Sequence, residues 1–161
     1  MIRNALALAA LLAANQAAAL SCIPPDVARS FIEVAEAEET YIILLGRFDV
    51  PPGALPAPDL SDNDPEPVSV QAMFRGQQLQ ADGSFDGALG LPVTLAQSCA
   101  GPWCGQMAQD QRTLAFVRQT EKGLVLDVAP CAQFHFVRPT QEMLETLAAC
   151  VTGGDCSPAE F

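Results

Sequence analysis

The residues with the plainest chemistry in this 161-residue chain are six cysteines: Cys22, Cys99, Cys104, Cys131, Cys150 and Cys156. Cys99-Ala-Gly-Pro-Trp-Cys104-Gly105 carries the Trp-Cys-Gly of a redox-active dithiol, but at C-x4-C spacing. Exchange enzymes use C-x-x-C at a helix N-terminus, where the dipole and nearby cations favour the thiolate. A structural bond is therefore expected, with thiol–disulfide exchange through Cys99 and Cys104 as the alternative. A zinc cluster lacks ligands, because there is no C-x2-C pair and His135 is the single histidine. No Ser, Cys or Lys stands visibly beside a base, so no nucleophilic set, catalytic residue or cofactor is indicated. Asp62-Asn63-Asp64 lacks the glycine and the twelfth-position glutamate of a calcium loop and reads as a solvated acidic turn.

The compartment decides the redox state of the cysteines. Arg3 is followed by an unbroken apolar run of ten, Ala5 to Ala14, and Ala17 and Ala19 place small side chains before Leu20. This is the pattern of a secretory signal peptide over residues 1–19, cut after Ala19. The run is too short to persist as a span, and no later stretch approaches the roughly 20 apolar residues a span needs. A periplasmic or secreted protein with three disulfides is expected, and the 15 possible connectivities stay open on spacing alone. Ala19-Leu20-Ser21-Cys22 also resembles a bacterial lipoprotein box, with its leucine one place late; an anchor on Cys22 is the lesser reading.

Removing 19 of the 161 residues leaves 142, one domain by length. Arg3 leaves with the signal, so 7 basic residues face 19 acidic ones and the net charge becomes −12. That balance argues against nucleic acid and anionic lipid, which need clustered Lys and Arg. A solvated, soluble surface is its plainest meaning.

Strand patterns dominate the positions between the cysteines. Glu38 to Phe48 is a continuous β-branched and aromatic run, as a strand buried on both faces reads. Val68 to Phe74 alternates, as do Thr113 to Val117 and Leu124 to Val128, which Thr120-Glu121-Lys122-Gly123 joins as a hairpin. Leu91 to Ala96 is a further strand. Asp26 to Ala37 reads as a helix with Val27, Phe31, Val34 and Ala35 on one face. Thr140 caps a second, Gln141 to Val151, with Met143, Leu144, Leu147, Ala148 and Val151 as its stripe and Gly153-Gly154 as its stop. Asp49 to Pro67 holds six prolines and five acidic residues without a base, and reads as an extended loop.

Short strands with one helix at each end, stapled by disulfides, predict a mainly β, five-stranded barrel of the OB type over residues 20–161. The start Leu20-Ser21-Cys22-Ile23-Pro24-Pro25, with Phe31 and the strand Thr40 to Phe48 behind it, resembles the netrin-module family, and within it the tissue inhibitors of metalloproteinases. The later order agrees: a strand ending Met73-Phe74-Arg75-Gly76, Cys104-Gly105, the hairpin Leu114 to Val128, Pro130-Cys131 and a closing helix.

The resemblance implies a non-enzymatic protein-binding module, an inhibitor or modulator of an extracytoplasmic metalloprotease, with Leu20, Ser21, Cys22 and Ile23 at the contact. In those inhibitors the first residue is a cysteine whose amine and carbonyl chelate the protease zinc; here Leu20 stands there, and Ile32 replaces a further family cysteine. Cys22 matches the family cysteine bonded beyond the hairpin, which implies Cys22–Cys131 and leaves Cys99–Cys104 and Cys150–Cys156. A monomer without metal is expected. A structural envelope component with no partner of its own is the remaining alternative.

Overall fold

A computed structural model describes residues 20–160; the signal peptide expected over residues 1–19, with its cut after Ala19, falls outside the described residues. The first helix, α1 (Val27–Glu36), begins at Asp26, whose carboxylate accepts from Arg29 N at 2.7 Å. That bond satisfies one of the orphan amides of the first turn. Strands β1 (Tyr41–Asp49), β2 (Val68–Leu79) and β3 (Phe85–Gln97) follow as an antiparallel meander. A disulfide-bearing ladder of β4 (Cys99–Ala100) and β5 (Trp103–Cys104) comes next, then β6 (Thr113–Thr120), β7 (Gly123–Val128), β8 (His135–Val137) and α2 (Gln141–Val151). Thr140 Oγ1 accepts from Met143 N at 3.2 Å and caps α2.

The five long strands close on themselves in the order β1-β2-β3-β7-β6, and β6 returns to β1. β3 and β7 run parallel, Val93 opposite Leu124 through Gln97 opposite Val128, and the other pairs are antiparallel. This is the OB-type closed barrel that the strand count and the two flanking helices predict. Closure turns on β1, whose Tyr41–Gly46 half pairs with β6 while its Leu44–Asp49 half pairs with β2.

Two cores result. Inside the barrel lie Leu44, Phe48, Phe74, Val93, Leu95, Ala115, Val117, Leu126 and Val128. Outside it, Ile43 and Leu45 of β1 and Leu114 and Phe116 of β6 are covered by Val27 of α1, Phe136 of β8 and Leu147 of α2. β1 is thus buried on both faces around Ile43–Leu45, as its unbroken apolar run indicates. β6 departs from its alternating pattern: Thr113 to Val117 are all buried, because the helices cover the face that alternation would leave to solvent.

Three other differences are local. β2 and β3 extend to Leu79 and back to Phe85, beyond the predicted Val68–Phe74 and Leu91–Ala96, since glycines and glutamines in a long hairpin hide its strands. α1 buries Val27, Ala28 and Ser30 and leaves Ala35 exposed. β4, β5 and β8 are too short to leave a pattern. Disulfides join Cys22 to Cys131, Cys99 to Cys104 and Cys150 to Cys156, and no cysteine among the described residues is free. Three such bonds are consistent with an extracytoplasmic protein. Among the described residues no helix is long and apolar enough to cross a membrane.

Candidate functional site

While the tight hairpins lie at one end of the barrel, the other gathers the irregular connections between strands. β1, β3 and β7 end there, and β2 and β6 begin there. The 50–67 loop is tied to it through Pro56, whose carbonyl accepts from Gln97 Nε2 at 3.2 Å and Gln106 Nε2 at 2.8 Å. The disulfide ladder is held by Ser98 N to Val128 O and Gly105 N to Ser98 O, both 3.0 Å. Gly105 is required in this packing, because a Cβ there would run into the Val128 and Ala129 backbone. Position 104-105 therefore reads as a packing demand, with the Cys–Gly pair set against the end of β7.

The floor of this end is polar, and it is sealed. Gln97 continues the inward side of β3 after Val93 and Leu95, and its Nε2 also donates to Gly105 O at 2.8 Å. His135 lies opposite Ala115 and faces Gln106 O through Nε2 at 3.2 Å. A carbonyl accepts only, so Nε2 carries the proton and Nδ1 is the bare nitrogen. That Nδ1 and Gln97 Oε1 have no protein partner. Burial holds the imidazole below its ordinary value, against the smaller opposing effect of the Gln106 carbonyl. A neutral, buried imidazole without an adjacent nucleophile is a structural group. His135 was visible in the sequence; the floor it builds with Gln97, Gln106 and Pro56 was not. The one signal was a glutamine in the apolar register of β3.

The N-terminal edge lies on the rim. Cys22 is bonded to Cys131 in the connection from β7 to β8, with a Cα–Cα distance of 5.4 Å. Ser30 Oγ donates to Gln133 O at 2.5 Å in the same connection, so α1 and the segment before it are fixed to one stretch of backbone. Leu20 and Ile23 project from this segment, 38% and 57% exposed, and Ser21 and Cys22 are exposed beside them. Leu20 and Ser21 extend beyond the last covalent anchor. The predicted contact residues are thus contiguous and open to solvent, while Cys99–Cys104 sits directly across a two-stranded ladder with Cys104 buried. No helix N-terminus carries either cysteine of that pair. Among the described residues no group of three His, Cys, Asp or Glu side chains could hold a metal ion.

Fold and rim together define a disulfide-stapled OB-type barrel with a covalently anchored, apolar N-terminal edge. Comparison with protein-family models, with curated proteins and with solved structures finds no match. The likeness to the netrin modules therefore stands on the residues that carry it.

Proposed function

We propose that the mature chain is an extracytoplasmic protein-binding module without enzymatic activity, and that its N-terminal edge, Leu20 to Ile23, is the contact. The observation that carries this reading is the Cys22–Cys131 bond, which anchors the exposed segment at Cys22, next to Ile23 and two residues after Leu20. Apolar side chains held rigidly at a surface lose less entropy on binding than the same side chains on a free tail. The partner class singled out by the family resemblance is an extracytoplasmic metalloprotease. Its zinc keeps an open position that an uncharged Leu20 amine and the adjacent carbonyl can fill.

A zinc-protease panel titrated with the form starting at Leu20, and with a form carrying one extra residue before it, tests the reading. The extension moves the amine by about 3.5 Å, more than a metal–ligand distance of about 2.1 Å tolerates, so inhibition should vanish. Since Leu20 is not itself pinned by a disulfide, inhibition at micromolar level or weaker is expected, each 1.4 kcal/mol of ordering cost being about tenfold. Equal inhibition by both forms sinks chelation. Inhibition by neither removes metalloproteases as the partner.

A further inference from the structure

We infer that a row of four arginines across the outer face of the barrel, Arg75, Arg47, Arg112 and Arg138, binds an extended acidic peptide segment of a partner protein. The row is a product of strand register. Arg47 lies directly opposite Arg75 in the β1–β2 ladder. Gly46–Thr113 is the last pair of the β1–β6 ladder, so Arg47 and Arg112 are the next residue on each strand beyond it. Thr113 lies opposite Val137, and Arg138 N donates to Arg112 O at 2.7 Å, which sets Arg138 beside Arg112. All four residues are exposed.

These four are more than half of the 7 basic residues that follow residue 19, in a chain with 19 acidic residues. Like charges placed directly opposite each other destabilise a sheet. Acid is abundant, yet among the described residues the one ion pair is Arg118–Asp127, away from the row. Asp49, on the same face of β1, and Asp86 and Asp110 in nearby segments make none. Arg47 Nη1 instead donates to the Asp110 carbonyl at 2.9 Å. Both non-glycine residues with left-handed backbone among those described, Asp110 and Arg138, belong to this neighbourhood. Strain of that kind persists where the surroundings impose it and concentrates at binding sites.

Geometry and charge select the ligand. Three inter-strand steps of about 4.8 Å make the row about 14 Å long, and carboxylates at i, i+2 and i+4 of an extended peptide span about 13 Å. Guanidinium forks match carboxylates bidentately, which suits a row built of arginine without lysine. A long polyanion or an anionic membrane would overlap the acidic remainder of the surface, where a short segment stays within the row. Two copies of the chain, each at −11, repel. The row uses none of Leu20 to Ile23, so it stands or falls apart from the N-terminal edge.

The test is fluorescence anisotropy of the mature protein with a labelled octapeptide of alternating Glu and Thr, beside a peptide of the same composition with its four Glu in one block. The alternating peptide should bind several-fold more tightly. Arg47→Gln with Arg112→Gln should weaken it at least tenfold, Lys122→Gln should leave it within twofold, and an unchanged melting temperature should show that the variants are folded. Arg47→Lys with Arg112→Lys should recover only part of the loss. No binding by the wild type at 0.1 M salt, an equal loss in Lys122→Gln, or tighter binding of a sulfated oligosaccharide would overturn the inference. So would self-association of the protein that disappears in the double Gln variant, because the occupant would then be a second copy.

Discussion

Gly46 and Gly76 face each other across β1 and β2, and the ring of Phe74 lies over both. A Cβ on Gly46 would sit 2.7 Å from the Phe74 ring and from Gly76 Cα, and would also run into the Arg75 carbonyl. This is the place where β1 passes from β6 to β2, and only backbone without side chains lets the two strands coil so closely. Phe74 is itself completely buried, so neither ring nor backbone has room to yield. Gly46→Ala should therefore destabilise by about 3 kcal/mol or more. Gly53→Ala has open space, and only its left-handed φ of 72° costs, about 1 kcal/mol. Urea unfolding of the two variants would show the difference, and equal losses would remove the close approach as its cause.

That crossing also marks how far the sequence could be read. Both helices were legible because caps, breakers and periodicity are local: the apolar face of Asp26 to Ala37 for α1, Thr140 and Gly153-Gly154 around α2; that Asp26 is the cap of α1 and not its first residue came from the structure. β1 was legible as a doubly buried strand in the run Glu38 to Phe48, of which Ile43 to Leu45 are buried in succession. The second core was not, because burial of Leu114 and Phe116 depends on where α1 and α2 dock, which no single segment encodes. The arginine row is the sharper case. Positions 47, 75, 112 and 138 have no relation along the chain, and only strand register brings them level.

The bond between Cys22 and Cys131 spans a sequence separation of 109, against 6 for Cys150 and Cys156. On the chain-entropy model the long loop is worth about 4.7 kcal/mol and the short one about 2.4 kcal/mol. Replacing Cys22 and Cys131 together with Ala should lower the urea midpoint roughly twice as far as replacing Cys150 and Cys156. It should also free the Leu20–Ile23 edge, visible as rapid amide hydrogen exchange at Ile23. A long-loop variant as stable as the wild type would mean that Ser30 and its bond to Gln133 suffice to hold the N-terminal segment.

Exchange chemistry at Cys99 and Cys104 predicts a different behaviour from a structural staple. The cysteines are opposite each other on β4 and β5, with Cys104 only 7% exposed. A thiolate is not favoured in such a setting, so the bond should have a low reduction potential and react slowly. Purified protein should not accelerate insulin reduction at sub-stoichiometric levels. Acceleration that is lost on Cys104→Ser would assign the protein to the thiol–disulfide enzymes instead.

Leu147 on α2 is fully buried among Val27, Leu45 and Phe116, where it joins both helices to the barrel. Leu147→Ala should cost about 3 kcal/mol, within the range for large-to-small changes in a core. Leu60, 73% exposed in the proline-rich loop, provides the contrast: Leu60→Ala should change stability by less than about 0.5 kcal/mol. Similar losses at both positions would mean that the loop packs in solution.

His135 makes stability depend on pH in a direction opposite to that of a paired histidine. Its imidazole is held below the ordinary 6.5, first by burial, with the Gln106 carbonyl opposing. The unfolded chain therefore takes up a proton near pH 6.5 that the folded chain refuses. Stability is complete above that pH, falls as the pH drops through it, and levels off below the folded value. Asp59, Asp82 and Asp155 act lower still: each carboxyl is held below 3.8, first by the hydroxyl and then by the backbone N–H of the serine two residues on. Their contribution is present above 3.8 and is lost as they protonate beneath it, so it does not overlap the histidine window. Urea midpoints at pH 7.5 and pH 5.5 should differ for the wild type and converge for His135→Gln, whose amide can still donate to the Gln106 carbonyl. If the variant kept the wild-type difference, the acid sensitivity would belong to another group, and the unpartnered Nδ1 would be accessible enough to take a proton in the folded protein.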